Sequence, residues 1–111
     1  MHRDLAGGRW QTFTLVEQLS HVGSEVDRAI RSWSAGRSGR FEAAFVRALE
    51  LFDLTAADAR WRGSNRREIL RLREEFCLLF PSRWDFLPES ARSLQRYFLQ
   101  LAVVARRIPR R

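Results

Sequence analysis

The chain has 111 residues, 45% of them hydrophobic and 30% charged, which suits one globular domain with its own core. All 20 basic residues are arginine, and with 13 acidic residues they give a net charge of +7. This composition excludes a disordered acidic tail, a collagen-like chain and a disulfide-bonded scaffold. The single cysteine, Cys77, lies in an apolar run, so we expect a packed thiol in a reducing compartment.

The first helix is predicted over 14–35, where apolar residues recur at alternating steps of three and four. Thr14 and Glu17 have the spacing of a capping box, in which each side chain satisfies a free amide at the helix start. Gly23 falls inside this helix, where glycine costs about 1 kcal/mol relative to alanine. It indicates either a close helix crossing or a local bend, and the sequence leaves both open.

Three more amphipathic helices are predicted, over about 41–59, 65–80 and 89–107. Asn65 and Glu68 give the third of them a second candidate capping box. Short connections between such helices favour antiparallel neighbours, and no strand-like alternation appears. The sequence therefore predicts an all-α fold, an antiparallel up-down four-helix bundle. We expect a single domain over 1–111, with 1–9 disordered.

The positive charge is concentrated in the second half of the chain. Residues 1–59 contain seven arginines and eight acids, whereas residues 60–111 contain thirteen arginines and five acids. The first arginine cluster consists of Arg60, Arg62, Arg66, Arg67, Arg71 and Arg73. The second arginine cluster consists of Arg92, Arg96, Arg106, Arg107, Arg110 and Arg111. In an up-down bundle the third helix starts at the end where the fourth finishes, so we expect the clusters to form one basic surface.

Such a surface predicts phosphate binding, because guanidinium groups bind phosphate bidentately and stack on bases. We therefore expect structured RNA to bind, with a strong dependence on salt. The predicted contact residues are Arg60, Arg62, Arg66, Arg67, Arg92, Arg96, Arg106, Arg107, Arg110, Arg111 and Trp61. Trp61 lies between two arginines and is a candidate for stacking on a base, so W61A should weaken binding with little change in Tm. As structural residues, Trp61 and the other tryptophans (Trp10, Trp33 and Trp84) would instead cap the ends of the bundle.

A second interpretation stays open. The arginine excess also fits genome composition, helix-dipole compensation at the end of the fourth helix, or docking of an acidic protein partner. In that case the protein is an oligomerisation or adaptor module, and an exposed apolar patch is expected. Its predicted members are Leu49, Leu54, Phe86 and Leu87.

Residues suited to catalysis or metal binding are few. The histidines are His2 and His21, and there is no cysteine pair, His-x-x-x-His or Glu-x-x-His pattern. Without lysine there is no phosphate-binding loop of the Gly-x-x-x-x-Gly-Lys type. No segment reaches the ~20 apolar residues of a membrane-spanning helix. We interpret the protein as non-catalytic, cytoplasmic and without metal, cofactor or membrane association.

Several stretches resemble a family of small bacterial helical proteins of unknown function: Trp10–Leu19, Val22–Ala29, Ala44–Thr55 and Leu70–Cys77. This resemblance covers nearly the whole chain and implies a fold but no activity. In size, helix count and charge the chain is also remotely similar to helical proteins encoded within ribosomal RNA intervening sequences. It is likewise similar to the accessory variability determinant of diversity-generating retroelements. The last similarity implies a basic homo-oligomer that binds a reverse transcriptase and its RNA template, and it transfers no individual residue.

Overall fold

The structure is a computed structural model that describes residues 8–82 and 85–107. Its helices are α1 (Leu15–Ser34), α2 (Ser38–Ala56), α3 (Ser64–Leu78) and α4 (Pro88–Arg107), and a short 3-10 helix (Trp10–Thr12) precedes α1. α1 packs against α2 and α4, and α3 packs against the same two helices. No strand occurs within the described ranges. The predicted all-α four-helix bundle is confirmed.

The start of α1 follows the sequence prediction closely. The Thr14 hydroxyl accepts a hydrogen bond from the Glu17 amide (3.1 Å), and the Glu17 carboxylate accepts one from the Thr14 amide (2.9 Å). The capping box is therefore confirmed. Gly36 follows the helix with a φ of +71°, a backbone conformation that glycine adopts without a steric penalty. Residues 1–7, most of the segment expected to be disordered, lie outside the described ranges, whereas Arg9 has a helical backbone conformation.

The helices that differ most from the prediction are α2 and α3. α2 starts and ends three residues earlier than expected, because Gly39 and Arg40 join the helix and Asp58 belongs to the turn that follows it. The prediction of a second capping box at Asn65 and Glu68 is wrong. α3 begins after Gly63, which has a φ of +58°, and no side chain caps the helix start. The Glu68 carboxylate binds a guanidinium and a phenol instead of the backbone.

Large aromatic residues are buried among the aliphatic residues of the interior. Trp10, Phe52, Phe76 and Phe98 are buried, and Phe98 of α4 lies against Gly23 of α1. A Cβ atom at position 23 would lie 2.7 Å from the Phe98 side chain, so this glycine allows a close helix crossing. This decides between the two roles that the sequence left open.

A cluster of aromatic rings closes the end of the bundle where α1 and α3 finish and α2 starts. Trp33 lies 5.1 Å from Phe41 and 5.2 Å from Phe80, measured between ring centroids, and Phe41 and Phe80 are 4.7 Å apart. The capping role expected of the tryptophans is thus observed for Trp33. Trp84 lies outside the described ranges. No helix in the part of the chain that the structure covers combines the length and the apolar character needed to cross a membrane.

Candidate functional site

The first arginine cluster is mostly bound within the protein. Three of its members pair with carboxylates at 3.0 Å or less: Arg60 with Asp58, Arg71 with Glu68 and Glu75, and Arg73 with Asp53. The Nε atoms of Arg62 and Arg66 donate to backbone carbonyls at 3.1 and 3.3 Å. In the described ranges, Arg67 is the one member without such a partner. Half of this cluster's charge is therefore paired with carboxylates inside the protein.

Arg60 and Trp61 belong to a polar cluster that we define as Gln18, Asp58, Arg60 and Trp61. The Asp58 side chain is only 3% exposed and accepts hydrogen bonds from Arg60 Nε (3.0 Å), Arg60 Nη2 (2.7 Å) and Gln18 Nε2 (2.9 Å). These bonds, chiefly those from Arg60, lower the pKa of Asp58 from 3.8 to about 2. Gln18 Oε1 accepts a hydrogen bond from the Trp61 indole at 2.7 Å. The polar cluster therefore ties the α2–α3 connection to α1.

This geometry corrects the role expected of Trp61. Its ring is half-buried against the core, and the Arg60 guanidinium lies 4.4 Å from the ring centroid over one face. Trp61 therefore does not present an open ring on which a base could stack. Because the ring packs against the core, we now expect W61A to lower the Tm. The buried Gln18 was missed by sequence reasoning. Its signal was a polar residue between Leu15 and Val22, at a core position of the first helix.

The second arginine cluster lies along a different surface. Arg92, Arg96 and Arg106 line a groove of about 740 Å³ between α1 and α4, which we call the α1–α4 groove. Arg92 and Arg106 are fourteen residues apart, or about 21 Å along the helix axis. The groove floor includes Gly23 and Phe98, so it lies where the two helices cross closely.

The arginines of α4 are unpaired. Arg92, Arg96, Arg106 and Arg107 are exposed, and within the described ranges none of them has an ion pair or side-chain hydrogen bond. The acid that lines the groove, Asp27, pairs with Arg31 (3.0 Å) and accepts a hydrogen bond from Gln95 (2.8 Å). The groove therefore carries an uncompensated positive charge. Arg110 and Arg111 lie outside the described ranges.

The expected single basic surface does not form at the α1–α4 groove, because no member of the first arginine cluster lines it. The Tyr97 hydroxyl donates to Glu68 at 2.9 Å, and this bond places the start of α3 beside the middle of α4. Tyr97 and Arg96 are consecutive residues and point about 100° apart around the helix, so α3 and the groove lie on different sides of α4.

The apolar patch expected from the second interpretation is also corrected. Leu49, Leu54 and Phe86 are half-buried and pack against the core, so they do not form an exposed patch. Leu87 is the one member that is exposed, at 42%. It lines a separate groove between α3 and α4 together with Leu78, a residue that the sequence analysis did not single out.

Metal binding and thiol reactivity were examined in the sequence and can be compared with the described residues. They contain no group of three or more His, Cys, Asp or Glu side chains arranged to hold a metal ion. Cys77 is partly buried, and this burial raises the pKa of its thiol, which favours the unreactive protonated form.

Comparison with known proteins finds no matching family model, no matching curated protein and no matching solved structure. A function for this chain therefore has to be argued from the arrangement of its own residues.

Proposed function

We propose that this protein is a non-catalytic bundle that binds structured RNA through the α1–α4 groove. One observation carries this proposal: the α4 arginines Arg92, Arg96, Arg106 and Arg107 are exposed and have no partner in the described ranges. A guanidinium without a carboxylate partner binds a phosphate without first breaking an internal ion pair. The members of the first cluster that pair with carboxylates would have to break one, so they contribute less.

The expected binding mode follows from this charge pattern. Contacts from arginine to phosphate displace counterions and fix the position of the RNA, but they carry little sequence information. If the four α4 arginines each neutralise one phosphate, affinity should fall by about a hundredfold between about 50 and 200 mM salt. We expect weak discrimination between RNA sequences of the same secondary structure.

The test compares two variants of equal charge. The groove variant carries R92Q, R96Q and R106Q, and the control carries R28Q, R71Q and R73Q, which remove arginines already paired with carboxylates. Fluorescence anisotropy with a labelled RNA hairpin over a salt series gives affinity and salt dependence. The groove variant should lose about three units of the log–log salt slope, and the control much less. Equal losses would attribute binding to net charge and refute the groove.

The more specific part of the proposal is an accessory role in a bacterial reverse transcriptase complex, and the remote similarity described above supports it. We expect a reverse transcriptase gene beside the gene for this chain, and co-purification of the two proteins after nuclease treatment. A wild-type protein that binds RNA but never the enzyme would remove this role and leave the RNA proposal intact.

Leu99 favours a second candidate function, the docking of an acidic protein. Its side chain is 64% exposed in the middle of the α1–α4 groove, between the same unpaired arginines. An acidic amphipathic helix offers an apolar stripe for Leu99 and carboxylates for its flanks. A complex that survives nuclease, contains no RNA and is lost on L99E would favour this candidate.

A further inference from the structure

Three arginines at the start of α3 keep an unpaired charge. Arg62, Arg66 and Arg67, which we call the α3 triad, lie in the α2–α3 connection and the first turn of α3, and all three are exposed. Arg62 and Arg66 donate through Nε to the carbonyls of Ala59 and Ala56, at 3.1 and 3.3 Å. These bonds anchor two of the guanidinium groups. Within the described ranges, the Nη atoms of the whole triad make no hydrogen bond or ion pair.

The carboxylates of this region do not offset the charge of the α3 triad. Three of them are each paired at 3.0 Å or less with an arginine outside the triad: Asp53 with Arg73, Asp58 with Arg60 and Glu68 with Arg71. The triad therefore presents free guanidinium groups, the same feature that supports phosphate binding at the α1–α4 groove.

The α3 triad and the α1–α4 groove lie on opposite sides of the bundle. α1 packs against α2 and α4, and α3 packs against the same two helices, so the helices follow one another around the bundle in chain order. The α4–α1 side is then opposite the α2–α3 side. The bond from Arg66 to Ala56 at the end of α2 places the triad on the α2–α3 side. The two shorter dimensions of the bundle, which separate these sides, are 27 and 25 Å.

This separation limits what one RNA segment can contact. A straight stem seated in the α1–α4 groove cannot also reach the α3 triad, because the bundle lies between them. Phosphates on the triad must therefore belong to a second segment.

We infer that one chain holds two stems of a folded RNA at once, one in the α1–α4 groove and the other on the α3 triad. This inference rests on the proposed function and adds a substrate class to it, namely RNA whose two stems are joined by an unpaired linker that passes around the bundle. The triad is the weaker site, since its three arginines lie on an open surface, and we expect a dissociation constant of about 100 μM for it alone. A stem already tethered through the groove is present at about 1 mM, which is enough to occupy the triad.

The test compares the affinity for a two-stem RNA with the affinity for one of its stems, by fluorescence anisotropy at about 50 mM salt. Wild-type protein should bind the two-stem RNA about tenfold more tightly, whereas the doubled number of stems alone would give about twofold. The triad variant, with R62Q, R66Q and R67Q, should lose the gain and bind the single stem as the wild type does. The control of equal charge, with R28Q, R71Q and R73Q, should keep the gain.

Sedimentation of an equimolar mixture shows whether a single chain holds both stems. The complex should contain one chain of 13.1 kDa per two-stem RNA. A gain of twofold or less, a gain that the triad variant retains, or two chains on each RNA overturns the inference and leaves the groove in place. If the triad variant does not fold, the wild-type gain and the mass of its complex still decide. A wild-type protein that binds neither RNA overturns the proposed function and this inference together.

Discussion

The buried carboxylate of Asp58 should contribute a measurable part of the stability of the bundle. It holds the polar cluster together by accepting hydrogen bonds from Gln18 and Arg60. D58N keeps the shape of the side chain, removes its charge and turns an amide NH₂ group toward donors. D58N is therefore the substitution that weakens the link between α1 and the α2–α3 connection with the least change in shape.

The pKa of Asp58 gives the size of the expected loss of stability. A fall from 3.8 to about 2 corresponds to about 2 kcal/mol in favour of the folded state. Because the folded-state pKa is the lower one, this stabilisation is present above about pH 4 and is lost as the pH falls toward 2. D58N also leaves Arg60 without its counter-charge, but the Arg60 side chain is 41% exposed, so water replaces part of the interaction. We expect a loss of about 2 to 3 kcal/mol at neutral pH, or about 10 °C in Tm.

Urea denaturation at pH 7 and near pH 2, followed by circular dichroism, measures both quantities. The wild-type protein should lose more stability between these values than D58N does, by about 2 kcal/mol. D53N is the control, because Asp53 pairs with Arg73 while its side chain is 64% exposed, and such pairs contribute less than about 1 kcal/mol. A D58N protein as stable as D53N, with an unchanged pH dependence, would refute the reasoning.

Three further substitutions or titrations test the fold. G23A should destabilise by about 1 kcal/mol, since overpacking against Phe98 costs more than the gain in helix propensity. G39A, where a Cβ meets no atom within 4 Å, should stabilise the protein instead. If urea denaturation shows both variants to be stabilised, or both destabilised, the close crossing at Gly23 is contradicted. T14A should cost about 1 kcal/mol in the same assay through the loss of the α1 cap, and a neutral result would mean that the capping box adds nothing. The single tyrosine, Tyr97, should titrate near pH 12 by phenolate absorbance, because burial and a neighbouring carboxylate raise its pKa. Its contribution to stability should be complete below about pH 10 and lost as the pH rises toward 12. A titration midpoint near pH 10 would contradict the contact between Tyr97 and α3.

The sequence predicted the helices well because each carries a continuous apolar stripe. The capping box of Thr14 and Glu17 is a local pattern, and local patterns transfer directly to structure. The capping box of Asn65 and Glu68 failed because α3 starts at Ser64, which places Asn65 inside the first turn of the helix and not at its N-cap. Arg71 and Tyr97 both bind Glu68, and one of them comes from another helix.

The site was harder to predict because spacing along the chain does not show which charges neutralise one another. Arg73 and Asp53 are twenty residues apart and meet across α2 and α3. The excess charge of the second half was counted correctly, but its distribution between paired and unpaired arginines depends on such contacts. The position of Gly23 against Phe98 likewise depends on how α4 folds back on α1.

The two connections that flank α2 differ as places to open the backbone. Gly36 is exposed, and a Cβ there would meet no atom within 4 Å, so a protease or an engineered break at this turn removes no side-chain contact. A break between Asp58 and Trp61 would instead divide the polar cluster and release the start of α3 from α1. Limited digestion should therefore yield a nicked chain that still sediments as a folded bundle when the cut is at Gly36, and fragments that come apart when it is at Arg60.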